Sequence, residues 1–559
     1  MAEEQEPALT EIARSLLEMR YLARNQQGEI VETPSGMFHR VARAVAEADR
    51  IFFPNSAIHD LVDRFEQAMA RLSFLPNTPC LINAGRPMGQ LAACFVLPVE
   101  DNLEAIFQTL KDTALIHQSG GGTGFSFSRI RPRGDTIFPA HGTSGGPAAF
   151  IQLFDAATHI IDRKQIRPGA NMGVLCASHP DIKAFIRMKT GPQELQNFNL
   201  SVAVDAYFLE CLEKGRGYPL RHPRTGAVVE TVPAEALWEM MADCAWQCGD
   251  PGILFTDRIN RDNPTPGLGS IEATNPCGEQ PLLPYEACTL GSINVTRFVD
   301  NGRINYERLR EEVALAVHFL DNVVEINRYP LARIDEWSRT NRKIGLGIMG
   351  FADALILMGV PYESKTALHL AEELMAAITD FAREASAKLA EQRGNFPGFY
   401  HSIYPDAGIR HRRNAALTTI APTGSISLIA GVSSGIEPVF AYRIKRRLMD
   451  RVFEDVHPIF ARCQQNGRPV PKEIFQSAWD VSPQWHLQIQ AAFQKHTENA
   501  VSKTVNCPAS ATAADIRRIF DQAARLPVKG VTVYRDQSRR DQTLCAECGE
   551  CARAEEEPY

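Results

Sequence analysis

An amide, a thiol and a carboxylate alternate in Asn275-Pro276-Cys277-Gly278-Glu279, and a second cysteine, Cys288, follows eleven residues after the first. In an extended segment alternate side chains point to one side, so Asn275, Cys277 and Glu279 would converge on one small molecule. The amide can hold a hydroxyl, the sulfur can take part in one-electron or nucleophilic steps, and the carboxylate can remove a proton.

Such a trio needs a rigid frame. Residues 1 to about 75 carry apolar positions at helical intervals (Ile12, Leu16 and Leu17, then Val41, Val45 and Ile51) and are expected to form a helical lead-in. From there to about 440, within an α/β domain expected over 76–534, β-rich runs such as 125–130, 201–204 and 252–255 alternate with amphipathic helices, the clearest at about 307–328 and 366–393, the second ended by Gly394. This pattern reads as α/β, with crossover helices joining parallel strands. The stretch 535–559 is charged and nearly free of large apolar residues, which predicts a flexible tail.

The chain has 559 residues, 59 Lys+Arg against 66 Asp+Glu, and a formal net charge of -7, with no long basic run. That argues against a nucleic-acid groove. No uncharged apolar stretch of membrane-spanning length occurs and the N-terminus lacks a signal-like pattern, so a cytoplasmic protein without membrane contact is expected. Thirteen cysteines in such a chain point to reduced thiols rather than a disulfide framework. Cys80, Cys176, Cys211, Cys244, Cys248, Cys463 and Cys507 sit in ordinary contexts and read as small core residues.

Gly345, Gly347 and Gly350 match a dinucleotide-binding pattern, but the polar run 339–343 stands where a buried strand should precede it, so close strand-to-helix packing is expected instead. The run 415–427 is strand-like until Pro422 and Gly424, then opens on Thr423, Ser425 and Ser427, where a first helical turn could cradle a phosphate or simply be capped. The turn Asn77-Thr78-Pro79 and the cluster Gly120 to Gly124 could bring backbone close to a ligand. Cys545, Cys548 and Cys551 lack a fourth local zinc ligand, and no other metal site is expected. Close cysteines on an arm favour thiol exchange.

Taken together, Leu75-Pro-Asn-Thr-Pro79, Ala93-Cys94, Gly121-Gly122-Thr-Gly124, Asn275 to Glu279, Cys288, Ala421-Pro-Thr-Gly-Ser425, Ser502-Lys-Thr-Val-Asn506 and Gly530-Val-Thr-Val-Tyr-Arg535 resemble the adenosylcobalamin-dependent (class II) ribonucleotide reductases over nearly the whole chain. The resemblance implies a ten-stranded α/β barrel with a central finger loop. It implies that Cys277 becomes a thiyl radical, that Glu279 and Asn275 handle the ribose hydroxyls, and that Cys94 and Cys288 supply two electrons and close a disulfide. Reduction of that disulfide would fall to the tail cysteines, served by thioredoxin or glutaredoxin. Thr78, Ala93, Gly122 and the turn Thr423, Gly424, Ser425, Ile426, Ser427 match substrate-holding positions. Asp101 matches a deoxynucleotide effector site and 163–174 a loop that relays effector identity.

The radical source implied is adenosylcobalamin. Class I large subunits, as a family, carry adjacent tyrosines near the C-terminus where this chain has Val533-Tyr534, a single tyrosine, and no glycyl-radical motif of class III is present. Asp455-Val-His457 departs from a cobalamin motif at Ala461, and His457 reads as a helix-start residue. The short N-terminus leads to the expectation of no overall on/off control by ATP and dATP. A diphosphate substrate and a homodimer are further expectations. The alternatives are a class I large subunit served by a separate radical-generating subunit, and a non-catalytic nucleotide- or zinc-binding barrel.

Overall fold

The computed structural model describes residues 7–137, 141–162, 169–191, 195–448, 451–467, 469–538 and 544–546. The chain opens with helices Glu11–Arg20, Pro34–Ala46 and His59–Ala70. The first two are capped by Thr10 and Thr33, whose side-chain oxygens accept from the N–H groups of Ala13 and Gly36. Their apolar stripes, among them Leu16, Leu17, Phe38, Val41 and Phe65, are buried in one core with the helix Tyr306–Ile326.

The largest sheet among the described residues has ten strands, numbered here in chain order: β1 Phe74–Pro76, β2 Cys94–Pro98, β3 Gly122–Ser126, β4 Asn171–Cys176, β5 Phe198–Val204, β6 Gly252–Phe255, β7 Ala287–Asn294, β8 Ile344–Met349, β9 Thr504–Cys507 and β10 Gly530–Arg535. β2 to β6 are parallel neighbours in sequence order. β7 runs parallel to β8, and β9 to β10. The bridges Leu346 to Thr418 and Ile420 to Val501 join β8 to the β9 side. Antiparallel seams between β2 and β7 and between β6 and β10 unite the two parallel halves, so the sheet closes as an α/β barrel, with β1 added beside β7.

Helices expected from periodicity form at Tyr306–Ile326 and Lys365–Arg393, the second ending at Gly394 with φ 84°. The 125–130 run is different: its strand starts earlier, at Gly122, and ends at Ser126, because the chain turns with the Ile130 N–H donating to the Phe127 carbonyl. The glycine pattern at 345–350 also needs correcting. Gly345 and Gly347 lie within the buried strand β8, and what they admit is another chain segment rather than a helix. A Cβ on Gly347 would stand 2.2 Å from the Thr419 carbonyl oxygen, and one on Gly345 would stand 2.8 Å from Thr419 Cγ2.

A buried ionic cluster fixes that same segment. Asp321 accepts from Arg342 (2.7 Å), Arg393 (3.1 Å) and Arg413 (3.3 Å). Asn414 Nδ2 donates to it over 3.0 Å. Burial would raise the Asp321 carboxyl, but Arg342, Arg413 and Arg393 outweigh it and hold the group down at about 2. The cluster thereby ties a helix, the entry to β8 and the run leading into Thr418 to one charge. No helix among the described residues is long and apolar enough to cross a membrane.

Candidate active site

The segment Asn275 to Glu279 enters the barrel as the tip of a small hairpin, Ala273–Thr274 paired with Pro281–Leu282. The tip is a tight turn and not the extended run that alternation implied. The Gly278 N–H donates to the Asn275 carbonyl over 3.1 Å, and Gly278 takes φ 81°, a left-handed value that glycine adopts without cost. Convergence of the trio therefore comes from the turn. Cys277 projects at its apex and is exposed, while Asn275 and Glu279 flank it and are buried.

The wall is shaped to admit this finger. A Cβ at Gly124 would fall 1.7 Å from the Thr274 carbonyl oxygen, and one at Gly122 would fall 3.0 Å from Pro276 Cγ. Asn199 Nδ2 donates to the Pro276 carbonyl (2.9 Å). The Glu279 carbonyl accepts from Thr419 Oγ1 (2.8 Å) and from the Ala500 N–H (3.0 Å). Asn275 is held at both ends of its amide: Oδ1 accepts from the Gln280 N–H (3.0 Å) and Nδ2 reaches Cys94 Sγ (3.2 Å).

Cys94 and Cys288 are direct partners across the β2–β7 seam, both as thiols. Antiparallel partners have Cα atoms ~4.5–5.5 Å apart, inside the ~4.4–6.8 Å range that a disulfide spans. Burial pushes the Cys288 thiol well above its usual range; Lys343 opposes that, and Glu279 and Glu286 add to it.

A cavity of about 290 Å³ lies over the finger. It is lined by the expected Asn275, Cys277, Glu279 and Cys94, by Thr78, Ala93 and Gly122 on one side, and by Thr423 to Ile426 on the other. Thr423, at φ 55°, uses its hydroxyl to accept from the Gly435 N–H (2.8 Å). Ser427 turns away: its hydroxyl meets Ser434 Oγ at 3.0 Å and lines an adjoining cavity of about 410 Å³. Cys288 stands behind Cys94 and does not line the cavity. Asp101 lies apart from it, its carboxylate bound by Arg131 at 3.0 Å and 3.8 Å from Arg224. Residues 163–168, the first half of the expected relay loop, lie outside the described residues, as do Cys548 and Cys551. Cys545 falls in the short strand Leu544–Ala546, which pairs antiparallel with Arg443–Leu448.

Among the lining residues that sequence reading missed are Arg20 and Tyr21. Arg20 and Tyr21 come from the end of the first helix, and the Tyr21 hydroxyl meets Thr78 Oγ1 at 2.9 Å. Asn77 caps the helix Thr78–Asn83 through its side-chain oxygen, and its Nδ2 is buried at the cavity without a protein partner. The Asn77 turn was visible in the sequence, but nothing there placed Arg20 near it.

On the other face of the finger is a second cavity of about 390 Å³, lined by Cys277, Gly278, Asn199, Asn506, Tyr534 and the ion pair of buried Lys503 with partly exposed Glu437. Of the trio, Cys277 alone faces both spaces. His457 begins the helix Pro458–Gln465, as expected, with Nε2 2.9 Å from Asp353 Oδ1.

The family description "ribonucleotide reductase, barrel domain" matches residues 92–412 and 408–534, and "ribonucleotide reductase, all-alpha domain" matches 8–89. A protein of Mycobacterium tuberculosis named vitamin B12-dependent ribonucleoside-diphosphate reductase is 45% identical over 95% of this chain and 80% of its own length. One of Thermoplasma acidophilum with the same name is 41% identical over 98% of this chain and 82% of its own. A ribonucleoside-diphosphate reductase subunit alpha of Chlamydia pneumoniae is 26% identical over 85% and 54%. With both family descriptions matched in order and together spanning most of its length, the chain belongs to the ribonucleotide reductase family.

Proposed function

We propose that the chain reduces ribonucleoside diphosphates to 2′-deoxyribonucleotides through a thiyl radical at Cys277, with adenosylcobalamin as the radical source. The position of Cys277 between two cavities carries this reading: one side meets the substrate, the other the group that activates the sulfur. The names of the two most similar relatives quoted above support the diphosphate and the cobalamin.

The second cavity is of small-ligand size. Its amide groups (Asn199, Asn506), the Lys503–Glu437 pair and the Tyr534 ring offer hydrogen bonds and a flat apolar face, which fit a nucleoside-like moiety, while the bulk of a corrin would have to lie outside it. Bound there, adenosylcobalamin would supply one-electron chemistry at the Cys277 sulfur. The Cys277 sulfur then takes the 3′ hydrogen of the ribose. Glu279 accepts the 3′-hydroxyl proton, a role worth typically ~10²–10⁴-fold, and Asn275 holds the hydroxyl pair. As the 2′-hydroxyl leaves as water, Cys94 and Cys288 give up two electrons and close a disulfide, and Cys277 returns its hydrogen to C3′. The diphosphate lies against Thr78 and the backbone N–H groups opening the turn at Thr423 to Ile426, with Arg20 at the rim.

The tail thiols Cys545, Cys548 and Cys551 would reopen the disulfide and be served in turn by a thioredoxin-type reductant. Asp101, already between two arginines, would be part of a deoxynucleotide effector site on a paired chain.

The test is an anaerobic assay of the chain with CDP or CTP, dithiothreitol and adenosylcobalamin. Deoxycytidine nucleotide that requires the cofactor and vanishes in Cys277→Ala, with nucleotide binding kept, is the expected result. Turnover only on adding a second protein subunit would instead establish the subunit-alpha reading suggested by the Chlamydia relative's name.

A further inference from the structure

Cys94, Cys288 and Lys343 form a row across three neighbouring strands. Cys94 and Cys288 are cross-strand partners. Lys343 immediately precedes Ile344, the first residue of β8, which is paired with Thr289 in the parallel β7–β8 ladder. Lys343 thus stands beside Cys288 on the side away from Cys94, one strand spacing of ~4.8 Å across. Glu286, two residues before Cys288, is on the same face, and its Oε2 is 2.6 Å from Lys343 Nζ. That carboxylate is fixed further by the Leu283 N–H (2.7 Å) and by Asn341 Nδ2 (2.5 Å).

Glu286 and Lys343 are 1% and 3% exposed. Burying an ion pair is seldom a net gain in stability, so its place in this row invites a role in chemistry. Lys343 lines neither cavity beside the finger, so it does not touch a substrate there. The two cysteines also differ in access: Cys94 lines the substrate cavity, whereas Cys288 has no exposed surface.

We infer that the Cys94–Cys288 disulfide is reopened by attack at Cys94, and that Lys343 is a positioning residue which makes Cys288 the leaving thiolate. The inference rests on the function proposed above, in which that disulfide forms. A thiolate of the reducing dithiol, a tail pair or dithiothreitol, attacks Cys94 Sγ. A bond forms between those sulfurs, the Cys94–Cys288 bond breaks, and its electron pair leaves on Cys288 Sγ beside the Lys343 ammonium. The second thiol of the reductant then displaces Cys94, closing the reductant's own disulfide, and both cysteines take up protons. Without Lys343 the emerging charge would meet a buried site and the carboxylates of Glu279 and Glu286, all of which disfavour it.

A nearby opposite charge moves a titration by ~1–3 units. With a leaving-group sensitivity near one half, the order found for attacking thiols, its loss slows exchange roughly three- to thirtyfold.

Two experiments test this, and both use protein whose disulfide is formed by a chemical oxidant, so they can be read whether or not the chain reduces nucleotides. In the unaltered chain, a monothiol followed by alkylation and peptide mass analysis should place the mixed disulfide on Cys94 and the alkyl group on Cys288. The reverse placement overturns the inference. In Lys343→Met, reduction by dithiothreitol should slow three- to thirtyfold and recover in Lys343→Arg, while product from one turnover of pre-reduced protein is equal in all three. Equal reduction rates in the three proteins overturn it. Absence of that single-turnover product in the unaltered chain would instead overturn the proposed function.

Discussion

Gly124→Ala tests whether the finger must thread the barrel wall as closely as it does here. The added methyl carbon would stand 1.7 Å from the Thr274 carbonyl oxygen, 2.7 Å from its carbonyl carbon and 3.4 Å from the Asn275 nitrogen. Carbon and oxygen rarely approach closer than ~3.3 Å, so hairpin and wall must separate by roughly 1.5 Å. The obstacle is backbone, so no side-chain rotation relieves it. Thr274 is paired with Pro281 and precedes Asn275, and the displacement therefore passes straight into the trio. Overpacking of this kind costs typically ~1–3 kcal/mol of stability, and a misplacement of ~1 Å at reacting groups costs on the order of 10²-fold in rate. Turnover should fall by about that factor, while nucleotide affinity changes much less, since Thr78 and the Thr423 turn are not on the hairpin. Gly142→Ala, where a Cβ meets nothing within 4 Å, is the control. A Gly124→Ala protein with full turnover and an unchanged melting temperature would refute the close-threading argument.

Two further outcomes follow from single residues. Arg20→Gln should raise KM for the nucleotide about tenfold, the worth of one charge-assisted hydrogen bond of ~1.5 kcal/mol, with kcat nearly constant; steady-state kinetics showing a fall in kcat alone would remove Arg20 from the phosphate site. The His117 ring meets Thr123 Oγ1 at 3.0 Å behind β3, and burial, outweighing the Asn171 interaction, lowers it from 6.5 to about 4. The unfolded chain takes up this proton near 6.5 and the folded chain only near 4. Stability is thus present above 6.5 and is lost as pH falls through that window, by at most ~3 kcal/mol. Chemical denaturation between pH 7 and 4 should show a shallower decline in His117→Gln, and parallel curves would disprove the assignment.

What the sequence made legible was chemistry and local periodicity. The trio at 275–279, the apolar stripe of 306–326 and the glycine stop at 394 are each written within a few residues, where pattern and structure share one length scale. The geometry of the finger was not legible, because Asn275-Pro-Cys-Gly-Glu279 suits an extended segment as well as a tight turn, and only the barrel decides. Its decision is visible at the wall: Gly124 and Gly122 are small where the hairpin passes, just as Gly347 is small where Thr419 passes. Read along the chain, Gly122 and Gly124 suggested a ligand loop and Gly347 close strand-to-helix packing. In the barrel Gly124 and Gly347 mark where two backbones touch, while Gly122 meets the Pro276 ring and lines the cavity. The pairing of Cys94 with Cys288, the arrival of Arg20 at the cavity rim and the row from Cys94 to Lys343 share that origin, since each joins residues far apart in sequence through strand neighbours set by closure. A motif can therefore name the sulfur that reacts, but which sulfur is reached and which leaves is decided by neighbours across the sheet.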